Sequence, residues 1–478
     1  MKGRLRSAIL PIAHEELRAS WRARVTLLIG ALTLLLAVTA TLIGLEHRNA
    51  INAERARYQH TADEQWHGQP DRHPHRVVHY GHYVFRPLGA LAFFDFGIDP
   101  FTGHTLYLEG HRQNTANFSD AGQSSILLRF GLLTPAFVLQ TLVPLLIIFV
   151  AFGSVARERE RGQLRMVMVQ GVSGSSLLAG KVLGCAVLAL LVSSPAFAAL
   201  LAIAVFAEAS AVQALLMMLG YAAYLLLWVL GAVLVSAALP RAREALLALV
   251  GIWIALVILL PRVLPDLAAA RIELPTRIET DIAVHKDLKA IGDAHNPNDP
   301  YFADFRARTL ARYGVSRVED LPVNYGGLLL AEGERLTSEL FDRHMQESFL
   351  LQDRQSEFVN AFAWVSPLLA LRQMSMALSS TDRQSHERFL AEAEKYRFSL
   401  IQALNRLHTE EVRYQNDRDQ RIDNRHWQTL PRFSYRPAPL EQIVKSRVLP
   451  ALAVLATWLV GLVAALRLLA IKLERAAR

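Results

Sequence analysis

Apolar residues in this chain gather into blocks of about twenty, at 25–45, 126–152, 182–207, 212–239, 245–260 and 448–466. The first is uncharged between Arg24 and Glu46, and the second is broken only by Arg129. A bilayer core ~30 Å thick takes ~20 residues of apolar helix, and soluble helices rarely run that far without a charge. Five blocks meet that length. The block at 245–260 is short, but Trp253 and the flanking Arg243 and Arg262 suit a span anchored at the interface. The first block is longer than the ~7–15 apolar residues of a secretory leader and lacks a small-residue cleavage site. It is expected to be an uncleaved signal anchor.

Two long stretches, 46–125 and 261–447, break the apolar rhythm. The first carries turn residues (FDFGIDPFTG) and short aromatic runs such as YGHYVF, which predict loops and a few strands. The second opens on Pro261 and Pro265. From Glu332 to Asn424 it has few Gly or Pro and many Glu, Arg, Gln and Leu at helical spacing. Phe358, Phe362, Val365 and Leu369 share a face there, and Pro367 predicts a kink or a helix start. Neither stretch has a cysteine, so each must be held by packing, one against the other. The expected fold is a polytopic α-helical membrane protein of six transmembrane helices. Its extracytoplasmic domain, mixed but mainly helical, is built from the two insertions.

Composition sharpens this picture. The apolar share of 52% excludes a disordered chain, and one cysteine, Cys185, excludes a disulfide scaffold. The net charge of +8 is unevenly distributed. Segments 1–24, 153–181, 239–244 and 467–478 hold 17 basic and 6 acidic residues, leaving 34 basic and 37 acidic elsewhere. Short basic loops mark the cytoplasmic side. Both termini, 153–181 and 239–244 are therefore expected in the cytoplasm, with 46–125, a small link near Glu208 and 261–447 outside. Basic residues placed this way orient spans and meet anionic lipid, which excludes a nucleic-acid reading.

Candidate chemistry is sparse. GSSLLAGKV (174–182) approaches a phosphate loop, but its first glycine is one residue too far from Gly180–Lys181, and Val182 replaces the magnesium-binding hydroxyl. A tight turn with Lys181 snorkelling at the membrane face is the expectation. HEELR (14–18) lacks the second histidine of a zinc protease. It predicts an amphipathic interfacial helix from about Ile12 to Trp21, within the segment 1–24, with Leu17 and Trp21 toward lipid and Arg18 and Arg22 toward headgroups. Nine of sixteen histidines fall in 46–125. His73, His75, His79 and His82 form the one cluster to weigh as a metal site. Pro74 and Gly81 oppose a helix there and Arg72 and Arg76 repel a cation, so no metal is assigned. No catalytic constellation stands out. The spans hold no Asp, Glu, Lys or His in their interiors, unlike ion-coupled pumps. Ser193, Ser194, Tyr221, Tyr224, Trp228 and Thr457 are neutral and suit helix packing or an amphipathic substrate.

The loop ARERERGQLRMVMVQGVSGSSLLAGKVLG (156–184) resembles the signature of bacterial type-2 ABC exporter permeases. There a span ends in an acidic–basic segment, continues as a short coupling helix and re-enters the membrane after a Gly-Lys pair. The matching positions are Glu158, Arg159, Glu160, Gly162, Leu164, Gly171, Gly180 and Lys181. The segments 94–114 and 362–397 are similar to a subfamily with two large extracytoplasmic insertions, a domain of unknown function. The resemblance implies a non-enzymatic permease subunit in the bacterial inner membrane, with no cofactor of its own. ATP and magnesium would belong to a separate ATPase, and a second copy or a related permease would complete the assembly. Glu158 and Glu160 would pair with basic groups on the ATPase, and Gly162 would permit the turn into the coupling helix. The link before the last span is far longer than in simpler members. The alternatives are a mechanotransmitter that drives a periplasmic partner without passing a substrate, and a membrane-anchored scaffold or sensor.

Overall fold

In the computed structural model, six helices among the described residues are long and apolar enough to cross a membrane, so the chain is a multi-pass membrane protein. The described residues are 2–111, 113–114, 132–207, 210–293, 296 and 298–477. An amino-terminal helix α1 (Lys2–Arg22) leads into α2 (Arg24–His67). The other candidate spans are α4 (Pro135–Glu160, with a turn at 152–155), α6 (Gly174–Phe206), α7 (Ala211–Ala238), α8 (Ala242–Arg271) and α14 (Leu440–Arg475). Short α3 (Pro74–Val78) and a hairpin of β1 (His82–Phe85) with β2 (Thr105–Leu108) follow α2. Helix α5 (Gln163–Val169) lies between α4 and α6. Helices α9 (Arg277–Ile291), α10 (Pro300–Tyr313), α11 (Tyr325–Ala361), α12 (Pro367–Ser379) and α13 (Arg383–Glu411) fill the second insertion.

Several helices extend beyond the apolar blocks that mark the expected spans. Helix α2 does not stop at 45. Its 44 residues, at ~1.5 Å each, span ~66 Å, twice a bilayer core. The expected start of the second span, 126–131, lies outside the described residues, as does Glu208; α4 begins at Pro135, where Thr134 accepts a hydrogen bond from the Phe137 amide. The 245–260 block is the centre of a longer helix that continues through Pro261 and Pro265 to Arg271, and the last span runs well past 448–466 at both ends.

Proline explains why the end of α8 was hidden, since its apolar block stops at Pro261. Proline lacks an amide hydrogen and its ring strikes the carbonyl four residues back, so it ordinarily breaks a helix. Here wide π turns at Val138–Leu142, Ile254–Leu259 and Val444–Val448 each end two residues before a proline: Pro144, Pro261 and Pro450. The wider turn shifts that carbonyl aside and the helix continues.

The two insertions pack into one domain, as the cysteine-free sequence requires. Trp66, Val77 and Val78 of the first join Leu400, Leu404, Ile422 and Trp427 of the second in one core. Val84, Leu106 and Leu108 of the hairpin join Phe389, Leu390 and Ala393 in another. Arg86 pairs with Asp99 and donates to the Ser380 carbonyl (2.8 Å). Pro367 starts α12 at its first turn, where a missing amide hydrogen costs nothing. Phe358 and Leu369 therefore sit on different helices, because α11 ends at Ala361.

Helix α12 belongs to the bundle rather than to the domain surface. Leu368, Leu371, Met374 and Leu378 share the bundle's core with Phe93, Phe94, Tyr221 and Val233. A chain of buried polar groups crosses this contact. Gln140 donates to the Tyr221 hydroxyl (2.7 Å), which lies 2.9 Å from the Ser375 hydroxyl, which donates to the Asp95 carboxylate (2.5 Å). Each group meets a partner, so little polarity is left unpaired in an apolar core. The long link before the last span thus sends one helix back among the spans.

Candidate functional site

The end of the bundle that carries α1 and 153–181 is organised by close contact of α1 with α6. Ala13, Glu16 and Ser20 form the buried face of α1. On α6, Gly180 and Gly184 stand one turn apart and let the backbones meet. A Cβ at Gly180 would lie 2.6 Å from the Ile12 Cβ, and one at Gly184 2.8 Å from the Glu16 Cβ and 3.0 Å from the Ala13 carbonyl. The outer face of α1 bears exposed Leu10 and Trp21 with Arg18 and Arg22, while Leu17, expected toward lipid beside Trp21, is half-buried.

This contact delivers a carboxylate to Lys181. The ammonium stands 2.6 Å from Glu16 Oε2 and 2.5 Å from Glu158 Oε1, and Lys181 is only 6% exposed. The snorkelling lysine is therefore corrected. Residues 174–182 form the first turns of α6, capped by Ser173, and Lys181 is held inward between two acids. Neutralisation by close carboxylates makes that burial tolerable.

The acidic–basic segment 158–160 clamps four elements. Glu158 reaches Lys181 on α6, and through it Glu16 on α1. The Arg159 guanidinium donates to the Ala237 and Leu239 carbonyls at the end of α7. Glu160 accepts from the Ala242 amide at the start of α8 (3.0 Å). A cation at a helix C-terminus and an anion at an N-terminus both complement the helix dipole. The Ser236 hydroxyl accepts from the Val155 and Ala156 amides (3.1 and 3.2 Å). Glu158 and Glu160, expected to face a partner, are thus engaged within the chain.

Beyond the clamp, the short helix α5 is free to present a surface. Gly162 (φ +72°) and Gly171 (φ +91°) adopt left-handed conformations at its two ends, which glycine alone enters without steric cost. Leu164 is buried and anchors α5, while Met166 and Val169 are 60% and 73% exposed beside exposed Arg161 and Arg165. The sequence reading missed Glu16, Met166 and Val169. Only the four-residue spacing of Gly180 and Gly184 hinted at a helix packed here.

The structure divides the candidate histidines. Pro74 does not oppose a helix; it starts α3, with His73 as its cap. His75 and His79 share one face, their Nε2 atoms 3.2 Å apart. His82 leaves the set, its Nε2 lying 3.2 Å from Asp63, and His111 takes its place. His73 instead joins His408 and Asp417, where His408 Nε2 stands 2.6 Å from the Asp417 carboxylate. Burial, reinforced by His79 and His111, lowers the His75 pKa to about 4. Behind His111 lies Glu334, fully buried and 2.6 Å from Arg397. Burial alone would raise the Glu334 pKa, but His111 and Arg397 bring it down to about 2. His111 and His408 are far from the others in sequence, and nothing local marks them.

Residues 277–436 match the family model described as Domain of unknown function (DUF3526). The match covers α9 to α13, roughly a third of the chain. No curated protein matches the chain.

Proposed function

We propose that this chain is the membrane-spanning permease subunit of an ATP-driven ABC transporter, an exporter of the inner membrane, with both termini and α5 in the cytoplasm. A separate ATPase would bind ATP and magnesium, dock on α5 and drive the spans, and a second copy or a related permease would complete the pair. The observation that carries this reading is the exposed apolar pair Met166 and Val169 on a helix fixed to four elements at its base. An apolar knob flanked by arginines suits a partner's groove. The clamp behind it is stiff enough to pass a rigid-body push to α1, α6, α7 and α8. Docking falls to Met166, Val169, Arg161 and Arg165, while Glu158, Arg159, Glu160 and Lys181 transmit.

Co-expression with an ABC ATPase from the same genome tests the proposal. The two should co-purify in detergent, and assembly should raise ATP hydrolysis. Met166→Asp with Val169→Asp should abolish both while the chain alone stays monodisperse. Normal assembly of that double variant would refute the docking role. Glu158→Ala with Glu160→Ala should permit binding but weaken the stimulation of hydrolysis.

The mechanotransmitter reading keeps one specific support: α12 and the chain Asp95–Ser375–Tyr221–Gln140 join the domain to the bundle core. Movement of the spans would then move the domain, and a periplasmic protein would be its target. ATP-dependent movement of the domain without movement of any solute would favour it.

A further inference from the structure

We propose that His75, His79 and His111 form a solvent-accessible site for a divalent transition ion of the zinc class. One ligand atom from each lies within 4.8 Å of the others. The two nearest, Nε2 of His75 and of His79, are 3.2 Å apart. Two nitrogens bound to tetrahedral zinc at ~2.0–2.1 Å stand about 3.3 Å from each other, so this pair already spans one edge of a coordination tetrahedron. Their spacing of four residues places both on one face of the helical turn at α3.

The third ligand is brought in by backbone geometry. Gly110 packs so closely on Val78 that a Cβ would lie 2.2 Å from Val78 Cγ1, and its amide donates to the Val78 carbonyl (3.3 Å). That contact sets the next residue, His111, beside α3. His111 has φ +64°, a region a residue with a side chain enters at a cost and one that collects at ligand sites. Its amide donates to Glu334 Oε2 (3.2 Å), and its Nδ1 stands 3.3 Å from the same oxygen. A carboxylate behind a ligating imidazole orients the ring and raises its basicity. Held this way by Nδ1, His111 would ligate through Nε2.

The repulsion expected from Arg72 and Arg76 is reduced by their placement. Arg72 stacks over the Tyr80 ring (5.7 Å), and both arginines line a separate cleft with Arg418 and Arg421. His79 is exposed, which gives an ion a path from solvent and leaves a fourth position for water. Three imidazoles without a thiolate favour zinc, copper(II) or nickel(II) over magnesium or calcium.

Titration of the full-length, chelator-treated protein with zinc in detergent, followed by calorimetry, tests the site. One ion per chain is expected at the site. His79→Ala, a change at an exposed position, should weaken binding at least tenfold, and Glu334→Gln by about tenfold or more. Cobalt(II) should give the visible bands of tetrahedral coordination in the native protein and lose them in His79→Ala. No binding, or binding unchanged in His79→Ala and lost in His73→Ala with His408→Ala, would overturn the assignment.

Discussion

Lys181 shows how a residue's role depends on neighbours that the sequence keeps far apart. By position it is a basic residue at the start of a span, where lysine ordinarily reaches toward headgroups. In the fold it is buried between Glu16, which α1 supplies, and Glu158, which the end of α4 supplies. Removing one member of such a set strands the others without a partner. Lys181→Met should therefore destabilise the protein by about 3–5 kcal/mol, read as a clear fall in Tm in detergent. Adding Glu16→Gln and Glu158→Gln should restore most of the loss, since neutral groups of similar shape no longer need the cation. A Tm for Lys181→Met equal to the native value would show that the three charges are not coupled. Glu158, Arg159 and Glu160 were legible as a charged segment, but their partners Lys181, Leu239 and Ala242 were not. Charge says that a residue needs a partner, and only the fold says which.

At the scale of elements, apolar runs located the spans, and Pro261 misplaced the end of one. Pro261 looked like the start of a soluble segment, but the π turn at Ile254–Leu259 carries α8 through it. Such a turn is made by backbone hydrogen bonds, and apolar periodicity does not reveal it. The seam between α1 and α6 is the element contact on which the clamp depends. Gly184→Leu should force α1 off α6, because the neighbours of the new side chain include the Ala13 carbonyl and the Glu16 Cβ, not just a flexible tip. Limited trypsin digestion should then cut at Arg18 and Arg22 much faster than in the native protein, with little change in cutting of the domain. Unaltered digestion at those sites would mean that the seam does not hold α1.

For the whole molecule, the distribution of charge predicts sidedness, and chemical labelling can read it. Cys185 is the single cysteine and is buried. In a Cys185→Ser background, Asp419→Cys should react with a membrane-impermeant maleimide in intact cells, after outer-membrane permeabilisation. Gln170→Cys should react only after lysis. Both positions are exposed, so access is set by the membrane. The reverse pattern would invert the topology and with it the cytoplasmic placement of α5.

Six apolar blocks and the two long stretches that interrupt them were enough to define a six-span membrane protein with a large domain made of two insertions. Those features follow from local composition, since a bilayer selects segments by length and hydropathy. The joining of Trp66 to Trp427, the return of α12 among the spans, the enclosure of Lys181 and the meeting of His111 with His75 and His79 were decided by tertiary structure alone. Each is a contact between residues remote in sequence. Such contacts arise when buried groups find partners as the chain packs, and no local pattern encodes them.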